Sequence, residues 1–171
     1  MDIEDLKSRL ECHHQESYGW ARFCCRGDAD EADNVLQNVY LKILEQRARF
    51  DGKAAFRTWL FGVIRVTAHE QRRRRILQKF HLVRYHQLQA RPARIAGADE
   101  GMAHAERESG LRKALAALPR RQAEVLQLVL YHDLSLSEAA GTMGVSVGSA
   151  RTHYDRGKKA LRTLLEGAGW K

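Results

Sequence analysis

The chain has 171 residues, a formal net charge of +8 and a sequence pI of about 9.7, with 44% apolar residues and two prolines. That length suits one ordinary domain or two small ones, the apolar fraction is enough for packed cores, and so few breakers among abundant Ala, Leu, Arg and Glu favours an all-α protein. No stretch is apolar enough to span a bilayer and "MDIEDLKSRLE" is not a signal peptide, so a cytoplasmic protein is expected, and the basic balance implies a polyanionic partner: most simply nucleic acid, with an anionic membrane surface as the competing reading.

The first predicted element is one amphipathic helix from Asp5 to Cys25, broken by "RGDAD". Cys12, Cys24 and Cys25 lie in it. A zinc site built on "CHH" (Cys12 to His14) with Cys24 fits no standard ligand spacing, whereas Leu10, Ser17, Trp20, Ala21 and Cys24 recur at helical spacing, so buried, inert thiols are expected. The run from Asp28 to Asp33 carries four acids and no base and opens a second helix, from about Glu31 to Arg47, with an apolar stripe of Leu36, Val39, Tyr40, Ile43 and Leu44.

"RARFDGKAA" reads as a polar loop around Gly52. A third helix begins near Ala54, turns Phe56, Trp59, Leu60, Val63 and Ile64 inward, and continues into "HEQRRRR". From Arg65 to Lys79 there are six Lys/Arg and one Glu. Four consecutive arginines are often only a solvated helix end. Here they extend a helix bearing Phe56, Arg57, Trp59, Phe61, Arg65 and His69, and cations beside rings suit single-stranded or opened DNA. Phe56 and Trp59 are expected in the core.

The apolar period weakens from about Gln78 to Glu108, where "ARPARIAGADEGMAHAERE" reads as a linker with few ties to either side. Periodicity returns with Leu111, Leu115 and Leu118 before Pro119, then with Val125, Leu128 and Val129 to near His132. Ser135 and Glu138 have capping-box spacing for a short helix that turns Ala139, Ala140 and Met143 inward. Gly144 suits a left-handed helix end and Ser146 a new cap, giving a helix-turn-helix whose last helix runs from Val147 to about Leu165.

In that last helix Ala150, Tyr154, Gly157, Leu161 and Leu164 form one inward stripe. Gly148, Ser149, Arg151, Thr152, Asp155, Arg156 and Lys159 lie on the other side. Small residues at its start let a helix enter the major groove, and the longer cations behind them reach base edges or phosphates. The fold class expected is therefore all-α: two small helical domains joined by a linker, at 1–77, 78–109 and 110–171, the last containing the helix-turn-helix.

Three blocks carry a resemblance to a known family. "DEADNVLQNVYLKIL", "FRTWLFGVIRVTAHEQRRRR" and "ALPRRQAEVLQLVLYHDLSLSEAAGTMGVSVGSARTHYDRGKKALR" together resemble the bacterial extracytoplasmic-function (ECF) sigma factors of the sigma-70 family, and "YGWARFCCRGDADEADNV" is similar to the cobalt/nickel-resistance type. The resemblance implies a factor that binds core RNA polymerase through the β′ coiled coil and the β flap, directs it to promoter DNA, and is controlled by an anti-sigma factor, often membrane-anchored. It implies no enzymatic activity, no catalytic residue, no cofactor, no metal and no membrane insertion of its own. Carried over by position, polymerase binding falls on Asp33, Gln37, Asn38 and Lys42. Reading and opening of the −10 element falls on Lys53, Arg57, Arg65, His69, Arg72 and Arg73, and the loop "GKAA" matches one that can hold a flipped base. The −35 element falls to Ser149, Arg151, Thr152, Asp155, Arg156 and Lys159. The chain departs from the family pattern at Asn38, usually Glu, at Val66, usually an Asn implicated in opening, and at Gly62, usually basic.

Two other readings compete. A helix-turn-helix regulator acting without polymerase would leave the second basic–aromatic helix unexplained. A metal-dependent nuclease using "DADEAD" would lack a partner His and a second carboxylate cluster.

Overall fold

The computed structural model describes residues 3–86 and 104–167, all of its elements helical. They are α1 (Ile3–Cys12), α2 (His14–Cys24), α3 (Ala29–Leu44), α4 (Phe56–His86), α5 (His104–Ala117), α6 (Arg120–Leu126), which continues as a π-helical turn (Gln127–Tyr131), α7 (Leu136–Met143) and α8 (Val147–Gly167). Residues 87–103 of the expected linker lie outside the described residues, and α4 runs past the expected boundary at 77.

Local chemistry explains the element ends. Asp28 caps α3 by accepting a hydrogen bond from the Glu31 N–H at 2.9 Å, and Asp30 and Glu31 complement the positive end of the helix dipole. The single helix expected over Asp5–Cys25 is instead two, separated at His13, whose N–H still bonds the Arg9 carbonyl. The predicted inward set of α2, Ser17, Trp20, Ala21 and Cys24, is buried. Cys12, expected inside with the other thiols, is exposed, because the break ends α1 on its solvent side. On α3 the inward stripe is Ala32, Val35, Leu36, Val39 and Ile43; Tyr40 is only half-buried and Leu44 is exposed.

The N-terminal helices pack α2 and α3 against one side of α4, while α7 packs against another. Leu60, Phe61 and Ile64 are fully buried, and Arg65 is buried beside them. The core therefore runs without interruption from Trp20, Val35 and Phe61 to Leu128, Leu134, Ala139 and Met143. The two small helical domains expected on either side of the linker are present, and their helices meet in this shared core. A second, smaller core of Leu118, Ala123, Leu126 and Leu161 holds α6 to α8. There Gly157 is required by close approach, since a β-carbon would sit 3.1 Å from Leu126 Cδ1 and 3.3 Å from the Gln122 carbonyl.

At the centre of the shared core the Trp20 indole donates to the Phe61 carbonyl at 3.0 Å and stacks on Phe61, while His132 meets both rings edge-on. His132 is delivered there by the π-turn, which closes with its N–H on the Gln127 carbonyl. Its ring is buried and its Nε2 has no hydrogen-bond partner. Burial pushes its pKa down to about 4, with Arg57 lowering it further and Glu16 and Asp133 opposing.

A pH prediction follows from that ring. A histidine held neutral in the fold but free to protonate when unfolded contributes stability above its unfolded pKa of 6.5, and loses it as pH falls toward about 4. Urea midpoints should therefore fall between pH 6.5 and 4, and His132→Phe, which keeps the ring contacts, should flatten that limb; an unchanged slope in the variant would place the titrating group elsewhere.

Candidate nucleic-acid interface

The helix-turn-helix is built as its sequence demands. Ser135 Oγ accepts from the Glu138 N–H at 3.2 Å, and Glu138 Oε2 accepts from the Ser135 N–H at 2.9 Å, completing the capping box of α7. The α7 helix ends at Gly144, left-handed at φ 63°, with the Val145 N–H returning to the Ala140 carbonyl. Ser146 Oγ then accepts from the Ser149 N–H at 3.1 Å and starts α8. From α6, Arg121 Nη1 donates to the Met143 carbonyl at 3.2 Å, pinning the turn from behind.

On α8, Ala150, Gly157 and Leu161 face inward with Tyr154 half-buried, while Leu164, placed in the inward stripe by its spacing, is exposed. Gly148, Ser149, Arg151, Thr152, Asp155, Arg156 and Lys159 are all exposed on the opposite side. None of Arg151, Asp155, Arg156 and Lys159 is engaged in an ion pair among the described residues. The Thr152 hydroxyl donates back to the Gly148 carbonyl at 3.0 Å, leaving its methyl group outermost. The surface is small at its start, cationic along its length and fixed at its cap, which suits a polyanionic groove.

On α3, Asp33 and Gln37 lie one turn apart on an exposed strip that continues into Leu41 and Leu44, 51% and 46% exposed. Asn38 is also exposed, and its amide donates to the Asn34 carbonyl. Lys42 points elsewhere: its ammonium pairs with Glu70 at 2.7 Å and donates to Thr67 Oγ1 at 3.1 Å, so it ties α3 to α4.

The residues expected to meet the −10 element divide into two groups. Lys53 and Arg73 are exposed and Arg72 is partly exposed; Val66, where the family pattern has Asn, is half-exposed. Lys53 pairs with Asp51. Arg72 lies close to Arg26 and Arg120; burial first, and then the repulsion of those guanidiniums, lowers its pKa. Arg57, Arg65 and His69 turn inward to the C-terminal helices. Arg57 donates to the His132 carbonyl and pairs with Glu16. Arg65, only 7% exposed, reaches Glu124 Oε2 with Nη2 at 3.1 Å, and His69 Nε2 lies 3.4 Å from Glu124 Oε1. Phe61, a candidate stacking ring, is core.

Glu124 is the partner of these side chains that spacing alone did not single out. It is 1% exposed and receives Arg120 at 3.0 Å and Arg121 at 3.6 Å as well as Arg65. Burial alone would raise its pKa, but the His69 imidazole and the Arg65 and Arg120 guanidiniums outweigh that and hold it at about 2. Its partners on α6, three and four residues earlier, were visible in "RRQAE". Its partners on α4 were not, since only the fold brings them together. Among the described residues no His, Cys, Asp and Glu side chains gather into a metal-binding group, and no helix is long and apolar enough to cross a membrane.

Residues 10–76 match the Sigma-70 region 2 family and residues 109–161 match Sigma-70, region 4. The chain is 30% identical over 141 residues to the ECF RNA polymerase sigma factor EcfG of Rhodopseudomonas palustris, covering 81% of this chain and 74% of that one. It is 31% identical to the ECF RNA polymerase sigma factor SigF of Caulobacter vibrioides, covering 83% and 75%. The fold is similar to that of the sigma factor RpoE from Bartonella quintana, solved in complex with the anti-sigma factor NepR, with a TM-score of 0.72 at 21% identity over 96% of this chain and 98% of that one. With both sigma-70 regions present in order and relatives 30% and 31% identical along most of its length, the chain belongs to the ECF RNA polymerase sigma factors.

Proposed function

We propose that the chain is a cytoplasmic, non-enzymatic initiation factor that carries core RNA polymerase to promoters and is restrained by an anti-sigma factor. Its organisation is 1–77 for polymerase binding and the −10 element, 78–109 as connection, and 110–171 for the −35 element. The observation that carries the reading is the pair of unoccupied surfaces on one chain: the exposed α3 strip of Asp33, Gln37, Leu41 and Leu44, and the exposed α8 face of Ser149, Arg151, Thr152, Asp155, Arg156 and Lys159. A polar start running into two uncovered leucines suits a protein partner, while a cationic helix face with small residues at its tip suits duplex DNA. The anti-sigma partner is supported by the RpoE relative, which is described in complex with one.

Within this reading Arg151 and Arg156 are the base- or phosphate-contacting cations of α8. Arg151→Ala and Arg156→Ala should each weaken binding to the cognate promoter, by about 1–3 kcal/mol where the arginine reads a base with two hydrogen bonds. Affinity for core polymerase should not change. Normal transcription from that promoter by both variants would remove α8 from the groove.

Asp33 and Gln37 make the corresponding test of α3. Replacing both with Ala should reduce retention on immobilised core polymerase with unchanged circular dichroism, since neither is buried. Lys42→Ala should instead lower thermal stability, because it cuts the Lys42–Glu70 tie. Full retention of the Asp33/Gln37 double variant would exclude this strip as the polymerase contact.

A further inference from the structure

We infer that the hollow between α4 and the start of α6, lined by His69, Arg72, Arg73, Ile76, Leu77 and Arg120, binds a free nucleoside polyphosphate, with the phosphates on the arginines and the base on the two aliphatic side chains. The site shares Arg72 and Arg73 with the reading of α4 as a −10 surface but does not rest on it. The hollow is open to solvent and has a volume of about 310 Å³, at the lower end of the range of small-ligand sites.

Helical spacing builds its floor. His69, Arg72, Arg73, Ile76 and Leu77 recur at i, i+3, i+4, i+7 and i+8 and so form one strip of α4. The strip extends the seam that Arg65 and Glu124 make between α4 and the C-terminal helices, and α6 contributes Arg120 to the hollow's lining. Ile76 and Leu77 are left 44% and 49% exposed. A run of arginines at the end of a helix would complement its dipole. The α4 helix continues to His86, however, so Arg72 and Arg73 stand in its interior.

The charge at this corner is not balanced by the protein. Arg75 is taken by Glu31 at 2.8 Å, but Arg26, Arg72 and Arg73 form no ion pair among the described residues. Arg120 pairs with Glu124, a carboxylate already shared with Arg65, Arg121 and His69. Arg72 registers the excess: burial first, then the Arg26 and Arg120 guanidiniums, lower its pKa against the opposing pull of Glu31. Like charges gathered beside apolar side chains in a concave site mark a place for an anion. Guanidiniums take phosphate oxygens two at a time, and several around one hollow match more than one phosphate. A bare phosphate would leave Ile76 and Leu77 in water, whereas a base laid on them removes apolar surface. A nucleic-acid backbone carries one charge per phosphate and brings less charge to one hollow than a terminal di- or triphosphate does.

Equilibrium dialysis of the full chain against radiolabelled ATP and, separately, radiolabelled pyrophosphate tests the site. ATP should bind saturably at one site per chain, and more tightly than pyrophosphate. Arg72→Ala and Arg120→Ala should each weaken both ligands about tenfold or more, the loss expected for hydrogen bonds to a charged group. Because Arg120→Ala also removes a partner of Glu124, Arg26→Gly stands beside it. Arg26 is exposed and its left-handed backbone, φ 61°, suits glycine, so both ligands should weaken several-fold with circular dichroism unchanged. Ile76→Ser with Leu77→Ser should bring ATP down to the affinity of pyrophosphate and leave pyrophosphate as it was. Absence of saturable ATP binding, or full ATP affinity in Arg72→Ala, would overturn the site. Equal affinities of the parent protein for ATP and pyrophosphate would overturn its nucleoside half. If Arg120→Ala spares ATP but lowers retention of a single-stranded oligothymidine, the hollow belongs to a nucleic-acid strand and the nucleotide assignment falls.

Discussion

A carboxylate buried in a protein interior must be paired, and Glu124 is paired from both halves of the chain at once. Arg120 and Arg121 come from its own helix, Arg65 and His69 from α4. Such a group does not simply add stability, because taking ions out of water costs several kcal/mol each and their mutual attraction does little more than offset it. It does make partial separation expensive. If α4 moves away, Arg65 and His69 leave together and Glu124 keeps only the two arginines of its own helix, both of them 40–45% exposed. The arrangement thus favours all-or-none contact over a gradual loosening, and the relation of every other element to its neighbours across the seam follows from it.

The apolar part of the same contact explains why α4 was hard to read. The caps, the turn at Gly144, the inward residues of α7 and the exposed set on α8 were legible, because each depends on residues within a turn or two of one another. On α3 the core side was placed correctly, but the stripe was set one residue too far along at Leu44, which is exposed. The α4 helix differs in kind. It is covered on more than one side, by α2 and α3 and by α7, with Phe61 between Trp20 of α2 and His132 and with Arg65 on Glu124. A helix buried on two sides shows no single apolar stripe. Its aromatic and basic residues were therefore free to be read as a DNA surface when Phe61 is core and Arg65 is an internal ion-pair partner. Nothing local distinguishes an arginine awaiting a phosphate from one that has found a glutamate 59 residues away.

Both departures from the family pattern that lie on α4 fall near this seam or beside it. A β-carbon on Gly62 would make an ordinary contact with the α7 backbone, 3.9 Å from the Thr142 carbonyl, so the glycine borders α7 without a clash forbidding a side chain. Val66, half-exposed, follows Arg65 directly, and its apolar side chain has no hydrogen bond to offer.

Opening has a definite energetic character. Separating α4 from α7 would expose Phe61, Leu134, Ala139 and Met143 to water and leave Trp20 and His132 facing a gap. A partner can shift that equilibrium only by as much as it prefers the open form over the closed one. Moving a two-state equilibrium from about 1:99 to 99:1 takes roughly 5.5 kcal/mol of differential binding. A single exposed ion pair, worth about 0–1 kcal/mol, falls far short of that.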